Sequence, residues 1–154
     1  MEYGLYLHIP FCKSRCRYCD FYTRGGQRQV PDAYVDALLR DFNALAPRDN
    51  AGASVPAATG DFGGCTPGLL APGQVQRILQ QVAPAPGAEV TLEINPDTAE
   101  EKRLAGWRAA GINRLSIGVQ TAHVDSLKRL GRLHSPDDAL AAMEMAKRAG
   151  FENV

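Results

Sequence analysis

HIPFCKSRCRYCDFY, residues 8–22, holds Cys12, Cys16 and Cys19 in a C-x3-C-x2-C array directly behind a short apolar run, Gly4-Leu5-Tyr6-Leu7-His8-Ile9. In that run Leu5, Leu7 and Ile9 alternate with Tyr6 and His8, the period of two expected of a half-buried strand, and Pro10 ends it. Three thiols on one short loop cannot all pair with one another in disulfides, so the array reads as a metal site. One reading is a [4Fe–4S] cluster, whose usual ligands are cysteine thiolates. Three local thiolates would then leave one iron with coordination positions open to a small molecule. The other reading is structural zinc, which prefers four closed ligands and could complete a tetrahedron with His8 or Cys65. A single triplet with no second C-x2-C pair favours the cluster.

Outward from this loop, the chain alternates strand and helix signals. Tyr34, Val35, Leu38, Leu39, Phe42 and Leu45 fall at helical spacing between Pro31 and Leu45, and Pro47 stands where such a helix stops. The segment 47–61, PRDNAGASVPAATGD, is poor in β-branched apolar residues; a short strand over Ala57–Phe62 is predicted there. Val75, Ile78, Leu79 and Val82 mark a helix over Pro72–Val82. Over Glu89–Asn95, Val90, Leu92 and Ile94 alternate with Thr91, Glu93 and Asn95. Thr98 with Glu101 predicts a capping box, opening a helix that carries Leu104 and Trp107 and closes at Gly111. A strand over Asn113–Val119, a short helix over Val124–Leu130 and a longer one opened by Ser135-Pro136 and ended by Gly150 complete the pattern. Residues 151–154 begin one more strand.

This order predicts an α/β fold with a parallel sheet: four β/α units and the stub of a fifth. Ligands of such sheets collect beyond the carboxyl ends of the strands. The cysteine loop, Gly63-Gly64-Cys65-Thr66, Glu93-Ile94-Asn95-Pro96 and Gly118-Val119-Gln120 all fall at such ends, so one shared rim is expected.

At 45% hydrophobic and 22% charged, the 154 residues suit one soluble globular domain. Lys+Arg and Asp+Glu are both 17, so neither nucleic acid nor a membrane surface is expected as a general partner. The Met-Glu-Tyr-Gly start lacks a signal-peptide pattern, and no apolar run approaches the about 20 residues of a membrane span. Clustered thiols kept for metal suit a reducing compartment, so a cytoplasmic location is expected.

LYLHIPFCKSRCRYCDFYT (5–23) resembles the cluster loop of radical S-adenosylmethionine (SAM) proteins, and in particular the group holding oxygen-independent coproporphyrinogen III oxidase and the related heme chaperone. The resemblance continues, in order, through GGCTPGLL (63–70), TLEINPDT (91–98), AAGINRLSIGVQT (109–121) and LKRLGRLHS (127–135). It implies a partial parallel (β/α)6 barrel of the radical SAM type, with 1–154 forming the N-terminal part and the later units and a terminal domain absent from this stretch. Such a truncated sheet would end in an unpaired edge. The resemblance further implies a [4Fe–4S] cluster on Cys12, Cys16 and Cys19, with SAM chelating the open iron. Reductive cleavage of SAM would then yield a 5′-deoxyadenosyl radical.

By the same resemblance, Gly64, Cys65 and Thr66 occupy a GGGTP-like motif that receives the methionyl end of SAM. Cys65 departs from the usual glycine; crowding or tolerance is favoured over ligation, because three local thiols suffice. Glu93 would meet the SAM amino group or ribose, Gln120 the ribose or carboxylate, and Arg132 the ribose or carboxylate. Tyr6 and Tyr18 would flank the cluster. Without the resemblance, Glu93 reads as a solvated carboxylate, Gln120 as a polar strand end, Arg132 as a surface arginine and the tyrosines as packing. His8 reads as a satisfied core histidine, and His134 and Trp107 as structural.

Two functions of different kinds follow. One is a heme chaperone that holds heme and passes it to heme-accepting proteins. The other is an oxidase decarboxylating the propionates of coproporphyrinogen III; either would call on an electron donor if its cluster turns over. Oxidases of the group carry a further cysteine two residues after the third, where this chain has Phe21, and that favours the chaperone. A zinc-binding or nonfunctional fragment is the remaining alternative.

Overall fold

The computed structural model describes residues 2–154. Four parallel strands lie in sequence order: β1 (Gly4–Ile9), β2 (Thr59–Gly64), β3 (Glu89–Ile94) and β4 (Arg114–Ile117). Helices α1 (Asp32–Leu45), α2 (Pro72–Val82) and α3 (Glu101–Ala110) make the three crossovers, and α4 (Val124–Leu130) and α5 (Pro136–Arg148) follow β4. Single 3-10 turns at Pro67–Leu69 and Pro96–Thr98 lie between β2 and α2 and between β3 and α3.

One face of the sheet is apolar, and the helices cover it. Leu7 and Ile9 of β1, Phe62 of β2, Leu92 and Ile94 of β3 and Leu115 of β4 join Val35, Leu39, Val75, Ile78, Leu104 and Trp107 in one buried core. The opposite face carries Tyr6, His8, Asp61, Thr91, Glu93, Arg114 and Ser116, the other parity of the same strands. Trp107 is fully buried and its indole N–H donates to the Leu70 carbonyl at 3.0 Å, a structural role.

Three boundaries differ from the expectations. β2 runs over Thr59–Gly64 rather than Ala57–Phe62. Its residues have low strand propensity, but it lies between two partners and is registered from Gly4↔Thr59 to Ile9↔Gly64 against β1. The ladders on both sides supply what the side chains do not. β4 stops at Ile117, because the chain at Gly118 turns to present its carbonyl to Arg132. α3 starts after Glu100 without a side-chain cap; the Thr98 hydroxyl instead donates to the Asn95 carbonyl at 2.7 Å inside the 3-10 turn. At α5 the reciprocal cap forms: the Asp138 N–H donates to Ser135 Oγ at 3.1 Å and the Ser135 N–H to the Asp138 carboxylate at 2.8 Å. Beyond α5, Asn153 makes a parallel bridge to Arg114, the start of the expected next strand. No helix among the described residues is long and apolar enough to cross a membrane.

Candidate functional site

Four parallel strands bring four carboxyl ends to one rim, and the loops leaving them enclose a cavity of about 250 Å³. Of the residues singled out in the sequence, Cys16, Tyr18, Cys19, Gly64, Cys65, Thr66, Glu93, Gln120 and Arg132 line it. Cys12 and Tyr6 do not. Cys12 is buried, and its thiol is pushed up to about 12, first by that burial and then by its hydrogen-bond partner, the Cys65 thiol. Tyr6 lies further down β1, where its ring occupies the space a Gly63 side chain would need. Its hydroxyl pairs with His8 Nδ1 at 3.0 Å, and His8 Nε2 meets the Tyr22 carbonyl at 3.3 Å, so both imidazole nitrogens are satisfied.

The backbone is shaped for close approach. Gly64 has φ 118°, and a Cβ there would meet the Ile9 carbonyl at 2.8 Å. The next N–H, of Cys65, donates to that carbonyl at 2.9 Å and holds the loop against β1. A Cβ on Gly118 would come within 3.0 Å of Arg132 Nη2 and 3.2 Å of Asn95 Oδ1, so a glycine there lets those two side chains pack against the strand end. Gln120 has φ 67°, a left-handed conformation that non-glycine residues adopt at a cost, and it turns back to the cavity.

Arg132 ties the site together. Its Nη2 donates to Asn95 Oδ1 at 2.7 Å and to the Gly118 carbonyl at 2.5 Å; its Nη1 reaches Tyr18 Oη at 3.4 Å and Cys16 Sγ at 3.5 Å. Its Nε is buried without a partner. Burial raises the Tyr18 hydroxyl, with Arg132 opposing. Glu93 is half-buried and its carboxyl is held above the ordinary value by burial and by Asp61, offset in part by the Gly64 N–H that it accepts.

Asn95 is the site residue that the sequence reading placed on the rim but gave no role. Its amide donates to Thr66 Oγ1 at 3.1 Å while its carbonyl oxygen accepts from Arg132. Its parity with Glu93 on the alternating β3 pattern was the available signal. His134, buried, pairs through Nε2 with the Val119 carbonyl at 3.1 Å and so supports the loop rather than lining the cavity.

The donor set suits a cluster. All four cysteines are free, and Cys16, Cys19 and Cys65 are each near enough to Cys12 to raise its thiol. Among the described residues no three His, Cys, Asp or Glu side chains gather around one point as a single ion demands. A cubane demands something different, since each thiolate takes a different iron. Beside the cysteines, Thr66, Glu93, Gln120 and Arg132 line the same cavity and suit a ligand with polar groups of its own.

Comparison with known proteins places the fold in a family. The family model described as the radical SAM superfamily matches residues 6–154. The heme chaperone HemW of Escherichia coli (strain K12) is 41% identical over 97% of this chain and 40% of its own length. HemW of Bacillus subtilis (strain 168) is 36% identical over 97% of the chain and 40% of its own length. Among solved structures, coproporphyrinogen III oxidase (HemN) from Escherichia coli superimposes with a TM-score of 0.84 at 29% identity, covering 98% of this chain and 35% of that one. The chain thus spans about 40% of the length of these curated relatives. With the family model covering nearly every residue and the parallel sheet beneath it, the chain belongs to the radical SAM superfamily, on its HemN/HemW-like branch.

Proposed function

We propose that this chain is the cluster- and SAM-binding portion of a heme chaperone. The observation that carries the reading is the meeting of Cys16, Cys19, Thr66, Glu93, Gln120 and Arg132, drawn from distant segments, on one cavity. Cys12, Cys16 and Cys19 would hold a [4Fe–4S] cluster, and SAM would lie between it and the ends of β2, β3 and β4. When bound, these groups supply the one-electron and radical chemistry, and the chain supplies binding and orientation.

Each residue has a defined task in that arrangement. Glu93 offers a carboxylate to the cationic amino group, oriented by the Gly64 N–H. Arg132 offers a cation to a carboxylate while fixing the cysteine loop through Tyr18 and Cys16. Thr66 and Asn95 form a hydrogen-bonded pair at the glycine-rich turn. Gln120 supplies an amide on the β4 side. Phe21 also lines the cavity, at the position where the oxidases carry a further cysteine, and this supports the chaperone reading.

Anaerobic reconstitution with iron and sulfide is expected to give about four irons and four sulfides per chain. Cys12→Ala, Cys16→Ala and Cys19→Ala should each abolish it, and SAM should alter the electron paramagnetic resonance of the reduced cluster. Zinc with no acid-labile sulfide would overturn the assignment. Similarity to the oxidase structure supports a second reading, porphyrinogen decarboxylation. Hemin titration separates the two: tight binding without consumption of coproporphyrinogen III marks the chaperone, and turnover marks the oxidase.

A further inference from the structure

The chain carries four cysteines, one more than the proposed cluster takes. Cys65 stands in the turn after β2, at a position where the motif it resembles has glycine, so turn geometry does not call for its sulfur. The register Ile9↔Gly64 sets that turn beside the end of β1, and the Cys65 N–H donates to the Ile9 carbonyl at 2.9 Å. Three residues beyond Ile9, Cys12 is fixed as firmly. Its N–H donates to the Arg24 carbonyl at 3.2 Å, and its carbonyl accepts from the Gln27 N–H at 2.9 Å. Both backbones are thus held where the two strand ends meet.

The four free thiols are not equivalent partners. Cys16 Sγ lies 3.5 Å from Arg132 Nη1, and Cys19 Sγ lies 3.9 Å from Thr23 Oγ1. Cys65 is the thiol that hydrogen-bonds Cys12. Exposure divides this pair. Cys12 is 2% exposed, whereas Cys65 lines the cavity and meets a small molecule that enters it. An accessible thiol with a second thiol in contact behind it is the arrangement of an oxidant-sensing pair, in which one sulfur reacts and the other resolves.

We infer that Cys12 and Cys65 form a reversible oxidation site, which closes as a disulfide when hydrogen peroxide reaches the cluster-free chain. The Cys65 sulfur attacks one peroxide oxygen, the O–O bond breaks, and one water leaves a sulfenic acid on Cys65. The Cys12 sulfur then attacks Cys65 Sγ, the S–O bond breaks, and a second water leaves. The two thiols are oxidised by two electrons and the peroxide is reduced by two. Sulfurs already in hydrogen-bond contact have only a short way to close to the about 2 Å of a disulfide. The pairing stands on the geometry of the cysteines, and its consequence rests on the cluster reading above. The bridge withdraws Cys12, one of the three proposed ligands, so an oxidised chain cannot load a cluster until it is reduced.

The test treats the cluster-free chain with stoichiometric hydrogen peroxide, blocks the remaining thiols with N-ethylmaleimide and maps the peptides by mass spectrometry. The first product should join Cys12 to Cys65, with Cys16 and Cys19 alkylated. Dithiothreitol should return Cys12 and Cys65 to the alkylated pool, and in Cys65→Ser the same dose should leave Cys12 alkylated. Without a thiol reductant, iron and sulfide uptake should fall in proportion to the bridged fraction and return after dithiothreitol. A first product joining Cys16 to Cys19, or irreversible oxidation of Cys65 with Cys12 still alkylated, overturns the pairing. Bridged chains that take up as much iron and sulfide as reduced ones overturn the block on loading. A reduced chain that takes up neither overturns the cluster reading and that consequence with it, while the peptide map still decides the bridge.

Discussion

Glu93 shows how one residue couples site and stability. It projects from the polar face of β3 into a half-buried position where burial and Asp61 raise its carboxyl above the ordinary value of 4.5. A raised carboxyl binds its proton more tightly in the folded chain than in the unfolded one, so stability falls as pH rises. The loss begins near 4.5, grows through the raised value and is constant above it. Glu93→Gln removes the charge and keeps an acceptor for the Gly64 N–H. The cluster-free variant should therefore melt higher than the parent at pH 7, and the gain should vanish below 4.5; thermal scans across pH check this. A SAM amino group would relieve the same penalty, so the variant should gain stability and lose SAM affinity together.

At the scale of elements, the site is held by how each crossover is anchored. α3 has weak amphipathic character and no side-chain cap, yet its Trp107 is fully buried and bonded to the Leu70 carbonyl next to the glycine-rich turn. Arg103 of the same helix donates to the Gly68 and Leu70 carbonyls, so α3 holds the turn that carries Cys65 and Thr66 from behind. Trp107→Ala should cost about 3–5 kcal/mol from the cavity and the lost contacts, while the Leu70 carbonyl keeps its bond from Arg103. Urea denaturation followed by far-ultraviolet circular dichroism measures it, because Trp107 is the chain's single tryptophan. The same element scale explains β2. TGDFGG has one large apolar side chain, Phe62, and still forms a full strand, because both neighbours pair with it.

Over the whole molecule, the parallel order places every functional loop at one end of the sheet, and the core lies along one face of it beneath the helices. The cysteine loop is held to the rest of that rim by few bonds: Arg17 N–H to the Leu130 carbonyl at 3.0 Å, the Arg132 contacts and the Lys13–Asp97 pair. A ligand that joins Cys12, Cys16 and Cys19 binds the folded arrangement and not the unfolded chain, so it adds its binding free energy to stability. The reconstituted protein should melt at a higher temperature than the cluster-free one, and Cys12→Ala should erase the difference. Equal melting temperatures with a full iron and sulfide content would contradict the proposed attachment.

The sequence by itself determined the class of fold and the rim residues. Periodicities of two and near four are set by local backbone geometry, and strand ends marked by Gly63-Gly64 and by Gly118 follow from them. It also singled out the cysteine array, since thiol spacing needs no tertiary information. Tertiary structure decided the rest. The position of β2 came from pairing with β1 and β3, not from its own residues. The hydroxyl of Thr98 donates to the Asn95 carbonyl within the 3-10 turn, and α3 begins beyond its reach with Glu100 at the cap position. The joining of Cys16, Tyr18, Asn95 and Gly118 by one guanidinium, Arg132, links positions more than 100 residues apart, and the contact of Cys12 with Cys65 spans adjacent strands. Hydrogen bonds between distant segments depend on where the folded sheet sets them, and no local pattern encodes that distance.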